Sequence, residues 1–94
     1  MTTKLKYNEL KVGNLYKGIS ASENSSHSFK NDPESDPDVT ISIDYGFTTF
    51  MFLEYKDLGI DNFNLKGLRI LIDNKIVWIR VWCYEEFVEI KQCQ

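Results

Sequence analysis

An all-β fold of five to six short strands is predicted by three features of the sequence. Residues 68–72 (LRILI) and 76–82 (IVWIRVW) are dense in β-branched and aromatic side chains and are split by Asp73, Asn74 and Lys75, the signature of a β-hairpin. Residues 39–43 (VTISI) alternate apolar and polar, as a strand with one wet face does. The chain has 94 residues, enough for one modest core and too few for two, so residues 1–94 are read as a single domain.

The hairpin of residues 68–82 admits two registers, and a slip of one residue turns every side chain to the opposite face. A two-residue loop at Asn74-Lys75 sets Ile72 against Val77, Ile70 against Ile79 and Leu68 against Val81, so six aliphatic residues share a core face. A three-residue loop sets Leu68 against Arg80 and buries a guanidinium, at a cost on the order of several kcal/mol without a partner. The two-residue register is therefore expected, although a type I′ turn prefers Gly where Lys75 stands. The opposite face then carries Arg69, Leu71, Ile76, Trp78, Arg80 and Trp82, a mixture suited to a half-covered surface.

Ahead of the hairpin, Leu5, Tyr7, Leu10 and Val12 lead to a turn at Gly13-Asn14, and residues 15–20 (LYKGIS) form a first short strand. Residues 21–38 (ASENSSHSFKNDPESDPD) hold both prolines and only Phe29 as a large apolar residue, and are read as a long polar and acidic loop. Loops beyond about 12–15 residues need a reason, functional or otherwise. A turn at Asp44-Tyr45-Gly46 precedes a longer strand over residues 47–55 (FTTFMFLEY), whose apolar centre predicts cover on both faces. Residues 56–67 (KDLGIDNFNLKG) read as a second loop with Leu58, Ile60, Phe63 and Leu65 tucked against the sheet. Tyr84, Glu85 and Glu86 suit a 3₁₀ turn before a last strand at residues 87–91.

Taken together, Lys11-Val12-Gly13-Asn14-Leu15, the apolar strand 50–54 ending in Glu, the hairpin motif of residues 71–78 (LIDNKIVW) and the closing Phe87-Val88-Glu89-Ile90 resemble small SH3-like proteins encoded by tailed bacteriophages. The resemblance covers about two-thirds of the chain and implies a small SH3-like barrel, in which closure or half-closure removes exposed strand edges. The long acidic insertion and the missing turn glycine depart from that pattern. An OB-like barrel is the competing architecture, and it would place a helix within residues 56–67.

The motifs carry no catalytic signature, and none of them calls for a cofactor. His27, the one histidine, lies among serines in the long loop and reads as a solvated residue, not as a catalytic base. Asp32, Glu34, Asp36 and Asp38 recur at every second position like ligands of a Ca²⁺ loop, but the turn glycine and terminal Glu are missing and Pro33 and Pro37 intervene, so no metal is expected. Cys83 and Cys93 lack disulfide or C-x-x-C spacing. With 11 basic and 14 acidic side chains the net charge of −3 disfavours direct nucleic-acid binding. No segment reads as a membrane span or a signal peptide, so a cytoplasmic or virion location is expected.

Arg69, Trp78, Arg80 and Trp82 form the more specific candidate site, because Trp and Arg are the residues most enriched at binding hot spots. The competing expectation is that the loops or the N-terminal segment fold over the rings and make a second small core. The expected function is a non-catalytic protein-interaction module, a virion-associated bacteriophage protein. The alternative is a phage-encoded acidic inhibitor whose Asp32, Glu34, Asp36 and Asp38 imitate a phosphate backbone before a host nucleic-acid-handling protein.

Overall fold

The structure is a computed structural model that describes residues 3–19, 24–27, 29, 42–58 and 64–90. Its described elements are all β apart from a single 3₁₀ turn, Tyr7–Glu9. In chain order the strands are β1 (Lys4–Leu5), β2 (Leu15–Gly18), β3 (Ser25–His27), β4 (Ser42–Asp44), β5 (Phe50–Asp57), β6 (Leu65–Ile72), β7 (Lys75–Trp82) and β8 (Phe87–Glu89). Six of them form one antiparallel sheet in the order β1-β8-β2-β5-β6-β7, while β3 and β4 pair separately.

The hairpin β6–β7 dominates the sheet, and its faces are those the alternation predicts. Leu68, Ile70, Ile72, Ile79 and Val81 are buried on one side and Val77 is half-buried with them. The expected register is corrected by two residues: Ile72 pairs with Lys75, Ile70 with Val77 and Leu68 with Ile79. The turn is Asp73-Asn74, with φ of 50° and 63° respectively. Both values belong to the left-handed region that a type I′ turn demands, and Asp and Asn tolerate it better than Lys. A shift of two keeps every side chain on its face, so burial alone does not separate the two pairings.

Strand β5 pairs with β6 through a bulge between Phe52 and Glu54. Before it Phe52 is buried in the core opposite Ile70; beyond it Tyr55 pairs with Leu68 but stays 41% exposed. Tyr16, Phe50 and Phe87 complete the core, together with Tyr45, which the sequence places in a turn and the structure buries entirely. Tyr45 packs edge-on to Phe50 at 6.1 Å and stacks on Phe87 at 6.0 Å. Such aromatic pairs contribute about 0.5–1.5 kcal/mol beyond the area they bury.

Several local expectations are corrected. Residues 25–27, read as loop, are strand β3, which pairs with β4 through Ser25–Asp44, Ser26–Ile43 and His27–Ser42. His27 is thus a strand residue. Strand β4 therefore belongs to the small sheet with β3, although it precedes β5 in the chain. The barrel is not closed, since β1 and β7 stand at opposite ends of the six-stranded sheet. Leu58 is buried as expected, whereas Ile60 and Phe63 lie outside the described residues, as do residues 39–41. No helix among the described residues is long and apolar enough to cross a membrane.

Candidate functional site

The cross-strand pairs of β6 and β7 set the four predicted site residues on the face opposite the core. Arg69 lies across from Trp78, Gly67 from Arg80 and Leu65 from Trp82. Their surroundings differ along the strand. Trp82, at the end of β7, is 44% exposed, whereas Trp78 is only 8% exposed. The competing expectation therefore holds at Trp78, where the preceding chain folds over β7. Phe29 N–H donates to the Trp78 carbonyl at 2.9 Å and the Trp78 N–H donates back at 2.7 Å. The Arg80 guanidinium lies over the Phe29 ring, 4.4 Å from its centroid, and the Arg80 N–H donates to Ser26 Oγ at 3.1 Å. Arg69 is exposed and pairs with Glu54 of the neighbouring strand at 3.7 Å.

Beyond β7 the chain turns sharply and presents a second ring. Tyr84, 62% exposed, lies parallel to Trp82 within 8°, with centroids 5.9 Å apart. The turn is held from several sides: Glu85 N–H donates to Trp82 O at 3.0 Å, Cys83 N–H to Asn64 O at 2.7 Å and Lys6 Nζ to Tyr84 O at 3.0 Å. Beneath the rings, the buried Glu85 carboxylate accepts the Trp82 N–H through Oε2. Its Oε1 accepts the Asn24 amide at 2.8 Å and the Tyr45 hydroxyl at 2.7 Å. Burial, reinforced by the Glu85 charge, pushes the Tyr45 phenol far above its ordinary range. The phenol therefore stays protonated and remains a donor.

This carboxylate was not foreseen from the sequence. Its side-chain partners are 61 and 40 residues away in the chain, so no local spacing announces it. Gly18 belongs to the same arrangement: its N–H donates to Tyr45 O at 2.7 Å, and a Cβ there would collide with the Asn24 side chain. A groove of about 480 Å³ opens elsewhere, between Tyr7, Leu10 and Val12 on one wall and Phe52, Leu53 and Tyr55 on the other. Tyr7 stacks on Tyr55 at 5.5 Å and Lys66 Nζ lies 5.5 Å from the Tyr7 ring.

Asp32, Glu34, Asp36 and Asp38 lie outside the described residues. Among the described residues no group of three or more His, Cys, Asp or Glu side chains is placed to hold a metal ion. The predicted constellation thus divides into an exposed part, Arg69 and Trp82, joined by Tyr84, and a covered part, Trp78 and Arg80. Compared with protein-family models, curated proteins and solved structures, the chain matches none.

Proposed function

We propose that the chain is a non-catalytic protein-interaction module of SH3-like architecture, working as a structural component of a bacteriophage particle. The architectural part is supported by the strand order, in which β8 returns beside β2 and β5, β6 and β7 follow one another as an antiparallel meander on the other side of β2. The phage setting is supported by the sequence motifs of residues 11–15, 50–54, 71–78 and 87–90. The reading rests above all on one observation, the parallel Trp82–Tyr84 ring pair exposed at the end of a rigid strand and tied to the buried Glu85.

Rings held in this way bind without first being ordered. A fixed Trp buries about 150–250 Å² on contact and loses little conformational freedom, which is why such residues dominate interfaces. Arg69 lies on the same sheet face, across from Trp78, where its exposed guanidinium pairs with Glu54. Mass spectrometry of purified particles, run beside a pull-down with the intact protein, tests the function. Many copies per particle and loss of capture on Trp82→Ala support it. Absence from particles with salt-sensitive capture of a basic nucleic-acid-handling protein would transfer the function to the acidic residues 32–38.

A further inference from the structure

We propose that the exposed Phe47 ring docks into the groove between residues 7–12 and β5 of a second copy of this chain, so that copies join through a knob and a groove that each molecule carries. The contact does not rest on the Trp82–Tyr84 face and uses none of its residues. Phe47 is 78% exposed, more than any other large apolar side chain among the described residues. A single exposed ring is ordinary on a surface, but this one stands on a turn held from several sides. Tyr45 is fully buried, Gly46 N–H donates to Asn24 O at 3.2 Å and to the Asp44 carboxylate at 3.0 Å, and Gly18 N–H donates to Tyr45 O at 2.7 Å. The ring is thus presented to water on a preformed support, and docking it costs little further ordering.

The groove is the matching half. Leu10 and Phe52, both buried, form its base, while Val12, 68% exposed, and Tyr55 stand at its rim. Both walls are in place before anything binds. Gly13 N–H donates to Phe52 O at 2.9 Å and Phe52 N–H to Asn14 O at 3.1 Å, which fixes the turn after Val12 against β5. On the other side Tyr7 stacks on Tyr55, and Lys6 N–H donates to Glu9 Oε1 at 2.9 Å to hold the 3₁₀ turn. With a volume of about 480 Å³ and mostly aliphatic and aromatic walls, the groove has the size and lining of a site for an apolar group. Its two tyrosines suit an aromatic one.

Phe47 does not line the groove of its own molecule, so filling one with the other takes a second copy. The charges nearby agree with this: Asp44 stands three residues before the knob, exposed Lys11 adjoins Val12 at the rim, and the groove's own carboxylate, Glu54, is already paired with Arg69. One docked ring buries about 150–250 Å², well short of the roughly 1,200 Å² of a stable interface, so the contact is weak and reversible in dilute solution. Because knob and groove are different surfaces, a joined pair keeps one of each for further copies to add head to tail.

Sedimentation equilibrium and the amide resonances of the intact protein, followed from about 10 μM to about 1 mM, test this. The average mass should rise with concentration, and the resonances that move should gather at residues 7–12, 46–48 and 52–55. Phe47→Ser and Val12→Asp alter exposed residues, and each variant alone should associate at least about tenfold more weakly than the unaltered chain. Their equimolar mixture is the decisive sample. Phe47→Ser keeps a groove and Val12→Asp keeps a knob, so together they should form a 1:1 complex that neither forms alone. Trp82→Ala should associate like the unaltered chain. Constant mass and unmoved resonances up to about 1 mM overturn the proposal. So does a mixture no more associated than its components, or association that Trp82→Ala removes and Phe47→Ser spares. If a variant does not fold, the resonances of the unaltered chain decide: shifts gathered at the two surfaces support the contact, and shifts gathered elsewhere overturn it.

Discussion

Two tryptophans four residues apart on β7 have opposite surroundings, one covered and one exposed, and single substitutions separate them. Trp78 is covered and bridged to Phe29, so Trp78→Ala should cost about 3–5 kcal/mol of stability in urea denaturation, as large-to-small changes at buried rings do. Trp82 faces solvent beside Tyr84, so Trp82→Ala should change stability by under about 1 kcal/mol and weaken partner capture instead. A silent Trp78→Ala together with an unfolding Trp82→Ala would invert the assignment. Tyr45 gives a second test at this scale. Its phenol is raised in the folded protein by burial and then by the Glu85 charge, so between an unfolded value of 10.0 and the higher folded value the unfolded chain releases a proton that the native one keeps. Its contribution is complete below pH 10 and declines above it, by about 1.4 kcal/mol per pH unit. Tyr45→Phe should start less stable at neutral pH but lose stability less steeply from pH 10 to 11; identical slopes would mean that the phenol ionises freely in the fold.

Among the elements, the β6–β7 hairpin was the most legible in the sequence because burial imposes a period of two on it. Alternation told which residues face inward but not which residues pair, since a register moved by two preserves both faces. The deciding information lay in the turn, where Asp73 and Asn74 both take left-handed backbone angles. Asn74→Gly should therefore be neutral or stabilising by up to about 1 kcal/mol, and Asn74→Val should cost about 1–2 kcal/mol, both measurable as shifts in the urea midpoint. A turn centred on Asn74-Lys75 predicts instead that Lys75→Gly is the stabilising change. Strand β3 was illegible for the opposite reason. Ser25, Ser26 and His27 carry no apolar period, and they are extended through their pairing with β4 and the place of Ser26 at the β7 edge. The exposed half of the site, Arg69 and Trp82, could be read from residue type and strand position. The covered half could not, because its cover, Phe29, is distant in the chain.

At the scale of the whole molecule, the open question for any unclosed sheet is what joins its separate parts, and here a buried carboxylate is one of the links, beside the Phe29–Trp78 bridge, the Ser26–Arg80 bond and the packing of Tyr45 on Phe50 and Phe87. Glu85 follows β7, Asn24 precedes β3, and Tyr45 follows β4, so the bonds from Asn24 Nδ2 and Tyr45 Oη to Glu85 tie both strands of the small sheet to the end of the large one. The Asn24 carbonyl accepts the Tyr45 and Gly46 N–H groups at 3.0 and 3.2 Å, which closes the β3–β4 pair on itself at the same point. A buried charge held by hydrogen bonds contributes little net stability when intact, yet removing one partner leaves the others desolvated without compensation. Glu85→Ala should therefore cost about 3–5 kcal/mol, and Tyr45→Phe about 1–3 kcal/mol. The double variant should cost clearly less than the two together, because without Glu85 the Tyr45 hydroxyl has already lost its acceptor. Glu85→Ala should also speed hydrogen exchange at Trp82, whose amide loses its cover, and more than at Ile70 in the centre of β6. Strictly additive costs, or equal acceleration at Trp82 and Ile70, would mean that Glu85 acts on overall stability alone and that the two sheets are joined by their apolar contacts.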